Sequence, residues 1–215
     1  MSATIPIRHD DVLLVIDLQR DFCLGGALAI RDGDAVVPVI NRVAQGFKHV
    51  IFTQDWHPAG HLSFASSHAG KQLYESVEVS YGPQTLWPDH CVQNTPGAEF
   101  HPELKIPQVE LVLRKGFRRE IDSYSAFVEN DKRTPTGLAG YLRERGFKRL
   151  FLTGLAYDYC VRFSAVDAIG AGFSSYVIED ACRAVDLPGS VDETNGEFAE
   201  TGVVRISAAD LSFKH

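Results

Sequence analysis

Short apolar runs alternate along this chain with stretches of helical period, and that alternation restricts the fold more than any other feature of the sequence. Val12-Leu13-Leu14-Val15-Ile16 is uninterrupted and rich in β-branched residues, as expected of a strand buried on both faces. A helical pattern over 36–47 follows, then the run His49-Val50-Ile51-Phe52-Thr53. Residues 56–107 form a long irregular stretch rich in Pro, Gly, His and Ser. Order returns with Val109-Glu110-Leu111-Val112-Leu113, a helix over 136–145 stopped by Gly146, and the strand Leu150-Phe151-Leu152-Thr153. The pattern closes with a helix over 160–170, Ser175-Tyr176-Val177-Ile178, a helix over 191–200 and Val203-Val204-Arg205-Ile206. Strand, crossover, strand in repetition predicts a three-layer α/β/α architecture, with a mostly parallel sheet of about six strands flanked by helices. The 215 residues are read as a single domain, 1–215.

Composition removes several function classes. With a net charge of −7 the chain lacks the basic stripe of a nucleic-acid binder, and Arg118, Arg119 and Lys115 form its one dense basic spot. No apolar run approaches the roughly 20 residues that span a bilayer, and residues 1–8 lack the charged and apolar regions of a signal peptide. Cys23, Cys91, Cys160 and Cys182 do not resemble a disulfide framework in a chain of this size. The expectation is a cytoplasmic protein with reduced thiols and a small-molecule substrate, with no nucleic acid or membrane as partner. Assembly into a homo-oligomer is left open.

Ligands of open α/β sheets bind beyond the carboxyl ends of the strands. The residues there are Asp17, then Gln54-Asp55-Trp56-His57, then Lys115, then the segment from Gly154 to Cys160. Cys160 is placed at the start of a predicted helix, whose positive end favours the reactive thiolate and whose free N–H groups can hold an oxyanion. Asp17 can take the thiol proton and return it to a leaving amine, and Lys115 can steady both negative charges. A purely structural Asp17–Lys115 ion pair closing the sheet's end is an equal reading of the same spacing.

A second constellation surrounds Asp55. Asp55 and His57 share a face of an extended segment, His61 lies four residues on, and His90 follows across the irregular stretch. His68 and His101 are also nearby. A carboxylate with imidazoles suits Zn²⁺, Fe²⁺ or Mn²⁺, against the alternative of unrelated solvated histidines.

Five blocks then occur in order: Asp17-Leu18-Gln19-Arg20-Asp21-Phe22, Gln54-Asp55-Trp56-His57-Pro58-Ala59-Gly60-His61, Trp87-Pro88-Asp89-His90-Cys91-Val92, Lys115-Gly116, and Gly154-Leu155-Ala156-Tyr157-Asp158-Tyr159-Cys160-Val161. Together they resemble the nicotinamidase branch of the isochorismatase-like hydrolases, over residues 14–211. The resemblance implies that family's fold, with Asp17, Lys115 and Cys160 as catalytic triad. Asp55, His57, His61 and His90 become ligands of one divalent metal ion per chain, zinc first, with iron or manganese as alternatives. It implies a cis peptide between Leu155 and Ala156, an oxyanion hole from the Ala156 and Cys160 N–H groups, and a ring pocket of Phe22, Trp87, Tyr124, Leu155 and Tyr159. The implied reaction is hydrolysis of nicotinamide to nicotinate and ammonia, a step of NAD salvage, through a thioester on Cys160 with the metal positioning the ring. Pyrazinamide-like analogues are expected to be accepted as well.

Two positions depart from the family pattern: Arg20 stands where Asn is usual and Tyr157 where Thr is common, which leaves the pocket's shape open. Cys23, Cys91 and Cys182 are read as non-catalytic. Rival readings are an amidase for N-carbamoyl or ureido compounds, a vinyl-ether hydrolase of the isochorismatase type, and a non-catalytic metal or redox sensor.

Overall fold

The computed structural model describes residues 4–213. In chain order its elements are β1 (Ile5–Pro6), β2 (Val12–Ile16), α1 (Val37–Ala44), β3 (His49–Asp55), β4 (Ser76–Val79), β5 (Gly82–Thr85), β6 (Val109–Lys115), α2 (Leu138–Glu144), β7 (Arg149–Leu155), α3 (Arg162–Gly170), β8 (Ser174–Arg183), α4 (Ser190–Thr201), β9 (Val204–Ile206) and β10 (Leu211–Ser212). A six-stranded sheet in the order β6-β3-β2-β7-β8-β9 forms the centre, parallel at every pairing, with helices flanking it. β2 lies between β3 and β7 with all five of its residues buried, which is why its sequence is apolar without interruption. The chain builds outward from β2 to β3 and β6, then crosses to build β7, β8 and β9 on the other side. This reversal of winding opens a crevice at the carboxyl ends of β2, β3 and β7.

Three features were not expected from the sequence. β8 runs ten residues where the apolar run covers 175–178, because after a register shift Gly154 and Leu155 pair with Cys182 and Arg183. Gly154 is required at that shift: its φ is 123°, and a Cβ there would lie 2.0 Å from the Ile16 carbonyl oxygen. The stretch 56–107 is not wholly irregular, since β4 and β5 form an antiparallel hairpin within it. Gly82 and Pro83 disguise β5, but Pro is tolerated in a two-stranded ribbon because its missing N–H can face solvent. Finally, α3 begins at Arg162, and a π-helical turn over Tyr157–Val161 precedes it. Among the described residues no helix is long and apolar enough to cross a membrane.

Candidate active site

The strand tips deliver their polar side chains to one buried point. Asp17 leaves β2 with φ 45°, a left-handed turn that aims its carboxylate across the tips. Thr53 of β3 fixes it from two sides: the Asp17 N–H donates to Thr53 Oγ1 at 3.1 Å and the Thr53 hydroxyl donates to Asp17 Oδ1 at 2.6 Å. Lys115, the last residue of β6, sets its Nζ 2.7 Å from Asp17 Oδ2, 2.5 Å from Asp55 Oδ1, 3.0 Å from the Ser123 carbonyl and 3.4 Å from Cys160 Sγ. Asp17, Lys115 and Cys160 are all buried.

Burial alone would strip charge from each of these groups, and their mutual fields decide the outcome. For Lys115 burial disfavours the ammonium, but Asp17, Asp55 and Cys160 outweigh it and hold its pKa well above the ordinary lysine value. Asp55 is pushed up by burial yet held well below the usual carboxylate range by Lys115 and His57. Asp17 is raised, because burial and the nearby Asp55 exceed the pull of Lys115. Burial and the two carboxylates also raise the Cys160 thiol well above its ordinary value, against Lys115. This corrects the expectation of a resting thiolate: the helix start is one positive end, whereas Cys160 sits in a closed space beside two anions. The nucleophile rests as a thiol next to a carboxylate able to take its proton.

The turn bearing Cys160 also differs from the implied geometry. The described residues contain no cis peptide, so the Leu155–Ala156 bond is trans. The chain leaves β7 instead through Gly154 at φ 123° and Ala156 at φ 56°, ψ 59°. The Ala156 carbonyl then gathers the N–H groups of Tyr159 at 2.9 Å and Val161 at 3.1 Å, the second a five-residue reach that makes the turn π-helical.

Beside Lys115, Asp55 Oδ2 lies 3.5 Å from His57 Nε2 and 3.7 Å from His90 Nε2. Each ring is oriented through its other nitrogen: His57 Nδ1 meets the Gly116 carbonyl at 2.9 Å, and His90 Nδ1 meets the Pro88 carbonyl at 2.8 Å. Such backing by carbonyls is how imidazoles are held as metal ligands. His57, His61 and Asp122 form a second, overlapping set of donors, so His57 is shared between two groups of three. His61 Nδ1 pairs with Ser63 Oγ at 2.7 Å and its Nε2 lies 3.3 Å from the Ile121 carbonyl. Burial and the adjacent His57 push its pKa down to about 4, keeping it neutral. The four donors expected from the sequence thus fall in two groups of three that share His57, one completed by Asp122, and carboxylate plus imidazole suits a first-row divalent ion. His68 and His101 bond elsewhere, to the Leu62 carbonyl and Asp34.

Above these groups is a small, partly open cavity. Cys160, Asp55, His57 and His90 open onto it, and Phe22, Trp87, Tyr124 and Tyr159 wall it. The Trp87 and Tyr159 rings stand edge to face at 4.7 Å, and the Trp87 indole N–H donates to Tyr124 Oη at 3.1 Å. The Leu155 side chain is an exception: it is fully buried, facing the backbone at Gly33, and it does not line the cavity. Neither departure from the family pattern reaches the cavity. Arg20 points outward to Glu99 at 3.3 Å, and the Tyr157 hydroxyl reaches Asn195 of α4 at 2.7 Å.

Sequence reasoning missed Asp122 and its support. Gln84 of the hairpin donates to Asp122 Oδ2 and to Tyr124 Oη, each at 2.9 Å. It also missed Gln19, whose amide accepts from the Asp55 N–H at 2.7 Å and donates to the Asp55 carbonyl at 2.8 Å, clamping the ligand-bearing tip of β3. Gln19 stands inside the first sequence block and could have been found there. Asp122 lies in a loop with no pattern around it.

Comparison with known proteins gives the chain's family. Residues 11–210 match the isochorismatase domain family. The chain is 50% identical to the nicotinamidase of Acinetobacter baylyi over 93% of each chain, and 44% identical to the nicotinamidase of Escherichia coli over 92% of this chain and 95% of that one. Among solved structures, a nicotinamidase–pyrazinamidase from Acinetobacter baumanii superposes with a TM-score of 0.93 at 50% identity, covering 94% of this chain and 98% of that one. PnC1 of L. infantum in complex with nicotinate gives 0.85 at 38% identity, covering 97% and 98%. The pyrazinamidase of Pyrococcus horikoshii in complex with zinc gives 0.75 at 33%, covering 92% and 99%. The chain belongs to the isochorismatase domain family.

Proposed function

We propose that this protein is a nicotinamidase, hydrolysing nicotinamide to nicotinate and ammonia through a thioester on Cys160. The observation that carries the reading is the convergence of Asp17, Lys115 and Cys160, with 2.7 Å and 3.4 Å contacts to one ammonium, beneath an aromatic-walled cavity with metal donors at its edge.

The carboxamide carbon is set against Cys160 Sγ. Asp17 takes the thiol proton as sulfur bonds to carbon, which suits a thiol that does not ionise at rest. Negative charge moves to the carbonyl oxygen, where the Ala156 and Cys160 N–H groups stabilise it by about 3 kcal/mol per donor. Collapse breaks the C–N bond, and Asp17 gives the proton to departing ammonia. Asp17 then takes a proton from water as its oxygen attacks the thioester, and returns it to Cys160 as nicotinate leaves. Lys115 stays charged throughout and balances whichever of Asp17 and the sulfur is negative.

Asp55, His57, His61 and His90 would hold a divalent cation, with Asp122 adjoining. Zinc is the first candidate, supported by the donor set and by the zinc-containing Pyrococcus horikoshii relative, with iron or manganese as alternatives. A bound ion supplies a positive centre that draws the ring nitrogen of the substrate, so its contribution is orientation. Phe22, Trp87, Tyr124 and Tyr159 hold the ring, and the same walls accept pyrazinamide. All four cysteines are free thiols, which supports a reducing compartment such as the cytoplasm. The test is ammonia release from nicotinamide by wild type and by Cys160→Ala. Wild type is expected to turn over and the variant to lose turnover entirely. Equal release by both would refute the covalent route, and no release by wild type would refute the substrate.

A further inference from the structure

Asp158 lies two residues before the nucleophile in the block Gly154 to Val161, and the mechanism above gives it no part. It is buried, and its carboxylate points away from Cys160 toward the loop that joins β8 to α4. Asp158 Oδ1 accepts the Val185 N–H at 2.8 Å, while Oδ2 accepts the Asp186 N–H at 2.9 Å and the Ser190 hydroxyl at 2.5 Å. Two donors from this loop and one from the first residue of α4 thus converge on one side chain of the nucleophile turn. Val185 in turn lines the cavity, together with Leu28, Trp87 and Tyr124. The loop's other polar tie, an ion pair of Asp186 with Arg31 at 3.8 Å, is exposed and of small value, while Ala184, Val185 and Leu187 pack against the core without fixing the loop's hydrogen-bonding geometry.

We infer that Asp158 is a positioning residue that latches the 184–189 loop onto the nucleophile turn and so holds Val185 in the lining of the substrate cavity. The latch acts on the cavity and not on Cys160, because the turn itself is held by the Tyr159 and Val161 N–H groups on the Ala156 carbonyl, independently of the Asp158 side chain. The consequence is a division of labour: the backbone of the turn sets the nucleophile, and its one buried carboxylate sets how closely the cavity shuts around the substrate.

Asp158→Asn tests this with almost no change of volume, since an amide nitrogen in place of Oδ2 would confront two donors. We expect KM for nicotinamide to rise about tenfold, the size of losing one hydrogen bond to a charged group, with kcat within about twofold of wild type. Alkylation of Cys160 by iodoacetamide, followed by mass spectrometry, should quicken by a similar factor. Val185→Ala should reproduce the KM rise with the latch intact, and Ser190→Ala should move both readouts in the same direction by less. The KM readout rests on the nicotinamidase reading and the alkylation readout does not, so the two can fail separately. A folded Asp158→Asn with wild-type KM and alkylation rate, or one that loses kcat at constant KM, would overturn the inference. If that variant does not fold, unchanged KM and alkylation in both Val185→Ala and Ser190→Ala would overturn it equally.

Discussion

An enclosed lysine keeps its charge only where its surroundings are negative, and Lys115 has carboxylates at 2.5 Å and 2.7 Å. The residue therefore has two duties, neutralising buried anions and serving the reaction. Lys115→Met should cost about 3–5 kcal/mol in urea unfolding as well as abolishing turnover, because Asp17 and Asp55 would be left facing each other. For Asp17 the raised carboxyl fixes the sign of the pH dependence. The base is present above its folded value and lost as pH falls through it, so the acid limb of kcat/KM should lie above 3.8, where an unperturbed aspartate would place it. Asp17→Asn should lower kcat by roughly 10²–10⁴-fold and remove that limb. The triad residues were legible in the sequence because Asp17 directly follows an apolar run, Lys115 stands one residue beyond a second run and Cys160 follows a third across a short turn, and strand ends are where such folds bind ligands. The state of the thiol was not, since it depends on two anions brought beside Cys160 from other strands.

At the scale of elements, each of the six strands of the central sheet could be located from its apolar run, although β8 extends five residues past its run, while the β4–β5 hairpin could not be read. Its alternation over 76–79 is short, and Gly82 with Pro83 hides its partner. That hairpin nonetheless delivers Gln84 to Asp122 and Tyr124, so the unread element supports the unread residue. The tip of β6 makes a sharper demand. Gly116 follows Lys115 with φ 64°, and a Cβ there would come within 2.5 Å of His57 Cε1. Gly116→Ala should displace the His57 ring and lower the metal bound per chain, as measured by elemental analysis, while the secondary-structure content by circular dichroism stays unchanged.

For the whole molecule, the donor groups are buried and packed together whether or not an ion is shared between them. A metal that binds only this folded arrangement stabilises it by mass action, about 2.7 kcal/mol when the free ion is at a hundred times its Kd. Chelation should therefore lower Tm, and adding back zinc should restore it. A Tm indifferent to both treatments would show that the cluster binds no such ion with useful affinity.

Asp17, Asp55, Lys115 and Cys160 extend from four different segments that meet only because their strands run side by side in one register. One residue added to or deleted from any of these strands would slide its tip by about 3.4 Å and turn its side chains to the opposite face. The machinery is thus spelled in strand lengths as much as in residue identities. Descendants of this chain are free to lengthen the connections at the far edge of the sheet, but not to change the count of residues within the four lines that end at the reaction centre.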